Sequence, residues 1–251
     1  MNTTAVYFSP TYTTKNLAQQ VARGINPASE YIDIAKKEVE EHTFNQDDVV
    51  IFGVPTYGGR VPQLASENLI KFKGNNTKAV IIATYGNREY EDTLVELEDI
   101  VSAQGFIVVG AAAFIAQHTY YKEAGYGRPE IEDLQQASAF GNDIKNKIEN
   151  NIVNDLNIKG NRPYKELSLA SGRVLVNEKC IYCGSCAIQC PTDAIPKDAP
   201  DTTNLVDCIG CGRCISLCPT KARYFPEVFL EKIESFLIKT ASGHKENEFF
   251  I

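Results

Sequence analysis

The chain contains no tryptophan, and none of its eight cysteines falls within the first 179 residues. Any aromatic surface offered to a flat ligand must therefore come from Tyr and Phe, and an evenly stapled disulfide scaffold does not fit. No continuous apolar run is long enough to cross a bilayer. The opening MNTTAVYFSP has neither the basic start nor the extended apolar stretch of a signal peptide, so the chain reads as cytoplasmic. Basic clusters are missing too. Residues 1–150 carry 13 Lys+Arg against 20 Asp+Glu, and residues 151–251 carry 12 against 12, so the formal charge of −7 belongs wholly to the front. That balance argues against nucleic acid as a partner; it suits either steering toward basic proteins or simple solubility. No Gly-x-Gly-x-x-Gly follows a strand, which disfavours a dedicated nicotinamide site. No loop has the glycine spacing and Lys-Ser/Thr ending of a Walker sequence, which disfavours nucleoside triphosphate hydrolysis.

What is present is concentrated. All eight cysteines lie between Cys180 and Cys218, in two copies of one pattern: CIYCGSCAIQCP from Cys180 and CIGCGRCISLCP from Cys208, offset by 28 residues (208 minus 180). Each copy reads Cys, two residues, Cys, two residues, Cys, three residues, Cys, Pro. A loop with this spacing aims three thiolates at one iron-sulfur cube, while its fourth cysteine reaches the other cube. Cluster one then takes Cys180, Cys183, Cys186 and Cys218, and cluster two takes Cys208, Cys211, Cys214 and Cys190. Gly184 and Gly212 let the backbone approach the sulfurs, and Ile181, Ile188, Ile195, Ile209 and Ile215 offer a dry sheath. Structural zinc prefers two separated ligand pairs, and a reducing cytosol opposes disulfides; both fit this spacing less well. Residues 177–225 resemble a bacterial two-cluster ferredoxin, a family that shuttles single electrons at low potential. One departure is Tyr182, in the slot that Gly210 fills in the second copy.

The front two-thirds alternates apolar runs (TTAVYF, EYIDI, DVVIFGVP, KAVIIATYG, GFIVVGAAAFI) with helical patterns. Leu17 and Val21 mark one helical face, with Gly24 as its expected stop. Leu94, Leu97, Ile100 and Val101 mark a second, and Ile131, Leu134, Ile144 and Ile148 a third. Such alternation predicts a parallel sheet covered on both faces, with ligands at the carboxyl ends of the strands. Three of those ends carry unusual loops: SPTYTTKN, GVPTYGGRVP and TYGNREY. The first gathers hydroxyls and free N–H groups suited to a phosphate, or to capping a helix. The others combine Gly and Tyr, suited to lying against a flat ring, or to ordinary turns.

Together the three loops resemble those of the flavodoxin family and its FMN-binding relatives over about residues 3–150. The resemblance implies a doubly wound, five-stranded parallel sheet of α/β class. It also implies that Ser9, Thr11, Tyr12, Thr13 and Thr14 hold the FMN phosphate, with Tyr12 standing where the common pattern has Gly. Pro55, Thr56, Tyr57, Gly58 and Gly59 would flank one side of the ring system, and Thr84, Tyr85, Gly86, Asn87 and Tyr90 the other. The Tyr- and Gly-rich segment AQHTYYKEAGYGRPE is expected to be a surface excursion, either covering the flavin or without a role; its His118 is expected to be structural.

The expected organisation is a flavin domain at 1–150, a linker at 151–176 that packs on a neighbour, a small α+β ferredoxin domain at 177–225, and a helix and tail at 226–251. The helix, PEVFLEKIESFLIKT, is amphipathic through Phe229, Ile233, Phe236 and Leu237, and is expected to pack on the ferredoxin module or the flavin domain. The tail ASGHKENEFFI is expected to be loosely held. The chain as a whole resembles flavodoxin-ferredoxin fusions of anaerobes. This implies an electron-transfer protein that relays electrons between two [4Fe-4S] clusters and FMN and to redox partners such as ferredoxin- or flavodoxin-dependent oxidoreductases. No acid-base or nucleophilic residue is required for that role. An enzyme reducing a quinone-like acceptor at a flavin fed by the clusters is the alternative, and a sensing module with an empty flavin site a third reading. Oligomeric state stays open, a homodimer included.

Overall fold

The computed structural model describes residues 1–167 and 172–251. The elements run β1 (Thr3–Tyr7), α1 (Thr13–Ile25), β2 (Glu30–Asp33), β3 (His42–Phe44), β4 (Val49–Pro55), α2 (Gln63–Leu69), β5 (Phe72–Gly74), β6 (Thr77–Tyr85), α3 (Thr93–Ser102), β7 (Phe106–Ile115) and α4 (Ile131–Glu149). After a long connection come β8 (Leu175–Val176), α5 (Ser185–Ile188), α6 (Arg213–Leu217), β9 (Arg223–Tyr224), α7 (Glu227–Thr240) and β10 (Glu248–Phe250).

Five parallel strands form the sheet in the order β7-β6-β4-β1-β2, as expected, and the reversal of order beside β1 creates the crevice in which such sheets bind ligands. Because strand side chains alternate, each strand feeds two cores. Val49 and Ile51 of β4 join Leu17, Val21, Phe140 and Ile144 under α1 and α4. Val50, Phe52 and Val54 of the same strand join Leu69, Leu94, Leu97 and Val101 under α2 and α3. Gly24 does not stop α1, which continues to Ile25. It is glycine because α4 crosses there: a Cβ on Gly24 would lie 2.2 Å from the Ser138 carbonyl oxygen and 3.0 Å from the Gly141 Cα.

The tail is not loosely held. It returns as β10 and adds a sixth, antiparallel strand to the edge of β7, pairing Glu248, Phe249 and Phe250 with Ala113, Ala112 and Ala111. Phe249 packs edge-on against Phe114 and beside Phe140, while Phe250 packs against the opposite core. The connection before the cysteine-rich segment packs on α3. The backbone N–H groups of Asn161 and Lys165 each donate to Asp92 at 2.7 Å, and Arg162 forks onto Asp99 at 2.8 Å while also reaching Glu98. Part of the acidic excess of the front is therefore neutralised within the chain. In the C-terminal part, β8 and β9 form a two-stranded antiparallel ribbon behind two short helices that each follow a cysteine loop.

Candidate functional site

The ends of β1, β4 and β6 open into one cavity of about 460 Å3. At one end lies the β1–α1 loop. Tyr12, at the N-cap of α1, makes no side-chain cap, and the first turn holds no acidic residue. The N–H groups of Thr13 and Thr14 therefore begin a helix without a partner inside it, a site with partial positive charge suited to a phosphate. Ser9 Oγ accepts the Lys15 N–H at 3.0 Å, and the hydroxyls of Thr14 and Thr84 share a hydrogen bond at 2.7 Å that ties this loop to the third one. Ser9, Thr11, Thr13 and Thr14 all line the cavity.

The second loop turns tightly: the N–H groups of Tyr57 and Arg60 donate to each other's carbonyls at 3.0 and 3.2 Å, with Gly58 and Gly59 at φ 61° and 86° between them. Pro55, Thr56, Tyr57, Gly58 and Gly59 line the cavity, and the Thr56 hydroxyl is buried with no partner, a polar atom that a ligand would satisfy. Burial raises the Tyr57 hydroxyl well above its ordinary range, and the nearby Cys211 adds to the effect. From the third loop, Thr84, Tyr85 and Gly86 line the same space.

Three of the expected flavin residues do other work. Tyr12 takes a left-handed conformation, φ 67°, that glycine would take freely, and turns its ring toward Lys15 at 5.7 Å and Arg213 at 5.6 Å. It docks the C-terminal module, which explains why glycine does not suffice there. Asn87 is buried and donates its amide to the carbonyls of Ala241 and Gly243, at 2.7 and 2.9 Å. Tyr90 packs on Tyr85 and donates to Glu248 at 3.1 Å. Both hold the C-terminal strap rather than line the cavity.

The remaining walls come from segments farther along the chain. The excursion after β7 contributes residues 116–120, so it does cover the cavity. His118 Nδ1 accepts the Tyr120 N–H at 3.1 Å, which leaves the proton of the neutral ring on Nε2. Burial, aided by the charge of Arg88, lowers its pKa to about 4. Between pH 6.5 and 4 the unfolded chain takes up a proton at His118 that the folded chain refuses, so stability falls as pH drops through this window. For this part-exposed ring the loss is roughly 1 to 2 kcal/mol by pH 5. Replacing His118 with Gln is expected to abolish that loss, read as the difference between urea midpoints at pH 7 and pH 5.

Tyr120 forms the junction with the C-terminal module. Its hydroxyl donates to the Gly210 carbonyl at 2.8 Å, and its ring meets Phe225 and Phe229 edge-on. Ile209, Gly210 and Cys211 of the second cysteine loop therefore line the cavity directly, and Ile233, Phe236 and Leu237 of α7 roof it.

None of the eight cysteines is in a disulfide. Cys180, Cys183, Cys186 and Cys218 ring one small cavity, and Cys190, Cys208, Cys211 and Cys214 ring another. These are the two sets that the repeat spacing predicts. Among the described residues no group of His, Cys, Asp and Glu closes on a single metal ion. Sulfurs that surround a void suit a polynuclear cluster better than one zinc. The Ala222 N–H donates to Cys218 Sγ at 3.2 Å, and the hydroxyls of Ser185, Thr192 and Thr220 lie 3.6–3.7 Å from the nearest sulfurs. The outer ring leaves Cys183 exposed, whereas burial pushes the Cys211 and Cys214 thiols of the inner ring up to about 12.

An α/β sheet with a phosphate-suited helix start and two ring-suited loops at its switch point, joined to two rings of four cysteines, defines a flavin and iron-sulfur electron-transfer protein. The chain belongs to the flavodoxin family: residues 6–140 match the family model for Flavodoxin, and residues 173–225 match that for the 4Fe-4S dicluster domain. The cofactors are accordingly FMN and two 4Fe-4S clusters. Among solved structures, a flavodoxin from the domain Archaea is 16% identical, with 59% of this chain and 99% of that one covered and a TM-score of 0.40. Flavodoxin 1 from Bacillus cereus is 18% identical, with 57% and 97% covered and a TM-score of 0.40. Two-electron reduced Megasphaera elsdenii flavodoxin is 15% identical, with 55% and 98% covered and a TM-score of 0.32. No curated protein matches the chain. Among the described residues, no helix is long and apolar enough to cross a membrane.

Proposed function

We propose that this protein is an internal electron relay, serving redox partner proteins in the anaerobic metabolism of the cytoplasm. Ser9, Thr11, Thr13 and Thr14 would hold the FMN phosphate, and residues 55–59 and 84–86 its ring system. Cys180, Cys183, Cys186 and Cys218 would hold the outer cluster, and Cys190, Cys208, Cys211 and Cys214 the inner one. When bound, iron-sulfur clusters exchange electrons singly and FMN takes one or two, so the pair converts between one- and two-electron partners.

The observation that carries this reading is that Ile209, Gly210 and Cys211 form part of the flavin cavity's own wall. The chain's contribution is placement. Tyr120 and Tyr12 fix the inner ring against the cavity, α7 and Tyr120 limit water, and the outer ring faces outward with Ile181 and Tyr182 of its own loop exposed. That apolar rim suits docking of a protein that delivers or collects electrons. The exposed thiolate position of Cys183 suits a cell low in oxygen.

A second reading is favoured by the roof. Because α7 and the inner cysteine loop close over the flavin cavity, a protein has little access there, and a small quinone-like acceptor is the reaction partner that fits. Anaerobic reconstitution with quantified FMN, iron and sulfide tests both. About one FMN and eight irons per chain are expected, with the flavin absorbance bleaching when a reduced ferredoxin is added. Full iron without FMN uptake would overturn the relay. Turnover of a quinone without any further protein would select the second reading.

A further inference from the structure

Arg213 follows the inner ring's Gly212 and opens α6. Its counterpart in the first repeat, 28 residues earlier, is the uncharged Ser185. The Arg213 side chain is only 6% exposed. One terminal nitrogen, Nη1, donates to the Ala35 carbonyl at 2.9 Å, the other lies 3.4 Å from Asp33 Oδ2, and the guanidinium rests over the Tyr12 ring. Its Nε–H is buried and has no partner. Arg213 lines both the void ringed by Cys190, Cys208, Cys211 and Cys214 and an open crevice beside β2. Solvent does not reach Nε, so water in the crevice cannot satisfy it.

A buried cation whose one carboxylate partner stands at 3.4 Å and is 37% exposed is only partly compensated, and an unpaired buried N–H is costly. Both deficits disappear if an anionic cluster fills the inner ring. We propose that Arg213 is a positioning residue for the inner cluster, donating Nε–H to one of its sulfurs and biasing electrons toward the ring beside the flavin cavity. Adding one electron to that cluster adds one negative charge beside a fixed positive one, which raises its potential. The outer ring has only Ser185 at the equivalent place, so the effect falls on one cluster. Since Nη1 and Nη2 are held by Ala35 and Asp33 in the flavin domain, residues outside the ferredoxin module set the potential of a cluster inside it.

The inference rests on the ligand sets proposed above, and the test separates the two. In the reconstituted full chain, eight irons and two groups of four hyperfine-shifted cysteine signals in paramagnetic NMR are expected; fewer would overturn the ligand assignment itself. With that established, potentiometric titration of Arg213→Gln is expected to lower the inner cluster's reduction equilibrium at least tenfold, about 59 mV, with the outer cluster unmoved. Arg213→Lys should fall between. Asp33→Asn removes the opposing charge and should move the same cluster the other way. An inner potential unchanged in Arg213→Gln, or both clusters shifting together, would overturn the proposal. If Arg213→Gln fails to load iron, an unmoved inner potential in Asp33→Asn overturns it instead.

Discussion

Replacing Gly210 with alanine is expected to cost about 3 kcal/mol of stability and to uncouple the inner cysteine ring from the flavin cavity. Gly210 adopts φ 63°, where an L-residue carries about 1–2 kcal/mol of strain. The added Cβ would also meet the Tyr120 hydroxyl oxygen at 2.8 Å and the Gly172 carbonyl oxygen at 2.9 Å, and such overpacking adds about 1–3 kcal/mol. Relief requires the loop to move away from Tyr120, which breaks the hydrogen bond that anchors it to the cavity wall. Urea unfolding would read the first effect. The second would appear as slowed bleaching of bound FMN after mixing with reduced ferredoxin, with FMN and iron contents unchanged. Tyr182 supplies the control. It holds the same place in the first repeat with the same left-handed backbone, φ 55°, yet is 64% exposed. Tyr182→Gly should change stability by less than about 1 kcal/mol and leave bleaching at the wild-type rate. If Gly210→Ala bleached as fast as the wild type, the contact at Gly210 would not be the route between the two halves.

That contrast also marks how far the sequence could be read. The strand and helix runs of the front, the three loops and the two cysteine sets were legible because each is a local pattern: alternation, turn chemistry or fixed spacing. The difference between Tyr182 and Gly210 shows in the sequence, but its cause does not, since only the folded chain shows that one copy faces solvent and the other faces Tyr120. Tyr12, Asn87 and Tyr90 sit in the right loops, and loop position alone points them to the flavin. Their partners are Arg213, the carbonyls of Ala241 and Gly243, and Glu248, more than 150 residues away, and no periodicity reports contacts of that range. The tail's strand is not legible in the sequence, because three residues are too few to display a period of two. What fixes it is the prior existence of the β7 edge.

The tail's attachment has one residue at its centre, and its removal should have the largest effect on stability. Asp133, 2% exposed, receives both arms of the Arg128 guanidinium, the Glu130 N–H at 2.8 Å and the Asn247 amide at 2.8 Å. Asn247 in turn accepts the Ile115 N–H at 3.0 Å just before β10 begins. Burial alone would raise the Asp133 carboxyl, but the hydrogen bonds from Arg128 and Asn247 outweigh it and hold the group below its ordinary range. Its contribution is therefore fully present above the ordinary carboxylate pKa and is lost as pH falls through the lower folded value. Asp133→Ala leaves the Arg128 guanidinium buried without its main counterion, an arrangement that costs about 3–5 kcal/mol. The loss should not stay local. With Asn247 released, β10 loses its anchor, the hydrogen-exchange protection of the β10 amides that pair with Ala111 and Ala113 should fall, and α7, which buries little besides Leu237, should lift from the cavity. FMN should then dissociate faster although no flavin-lining residue has changed. Asp143→Ala, on the exposed side of α4, should alter stability by no more than about 0.5 kcal/mol. A cost below about 1 kcal/mol for Asp133→Ala, with β10 still protected, would mean that the sheet edge alone holds the tail and that the buried ion pair is incidental to the roof.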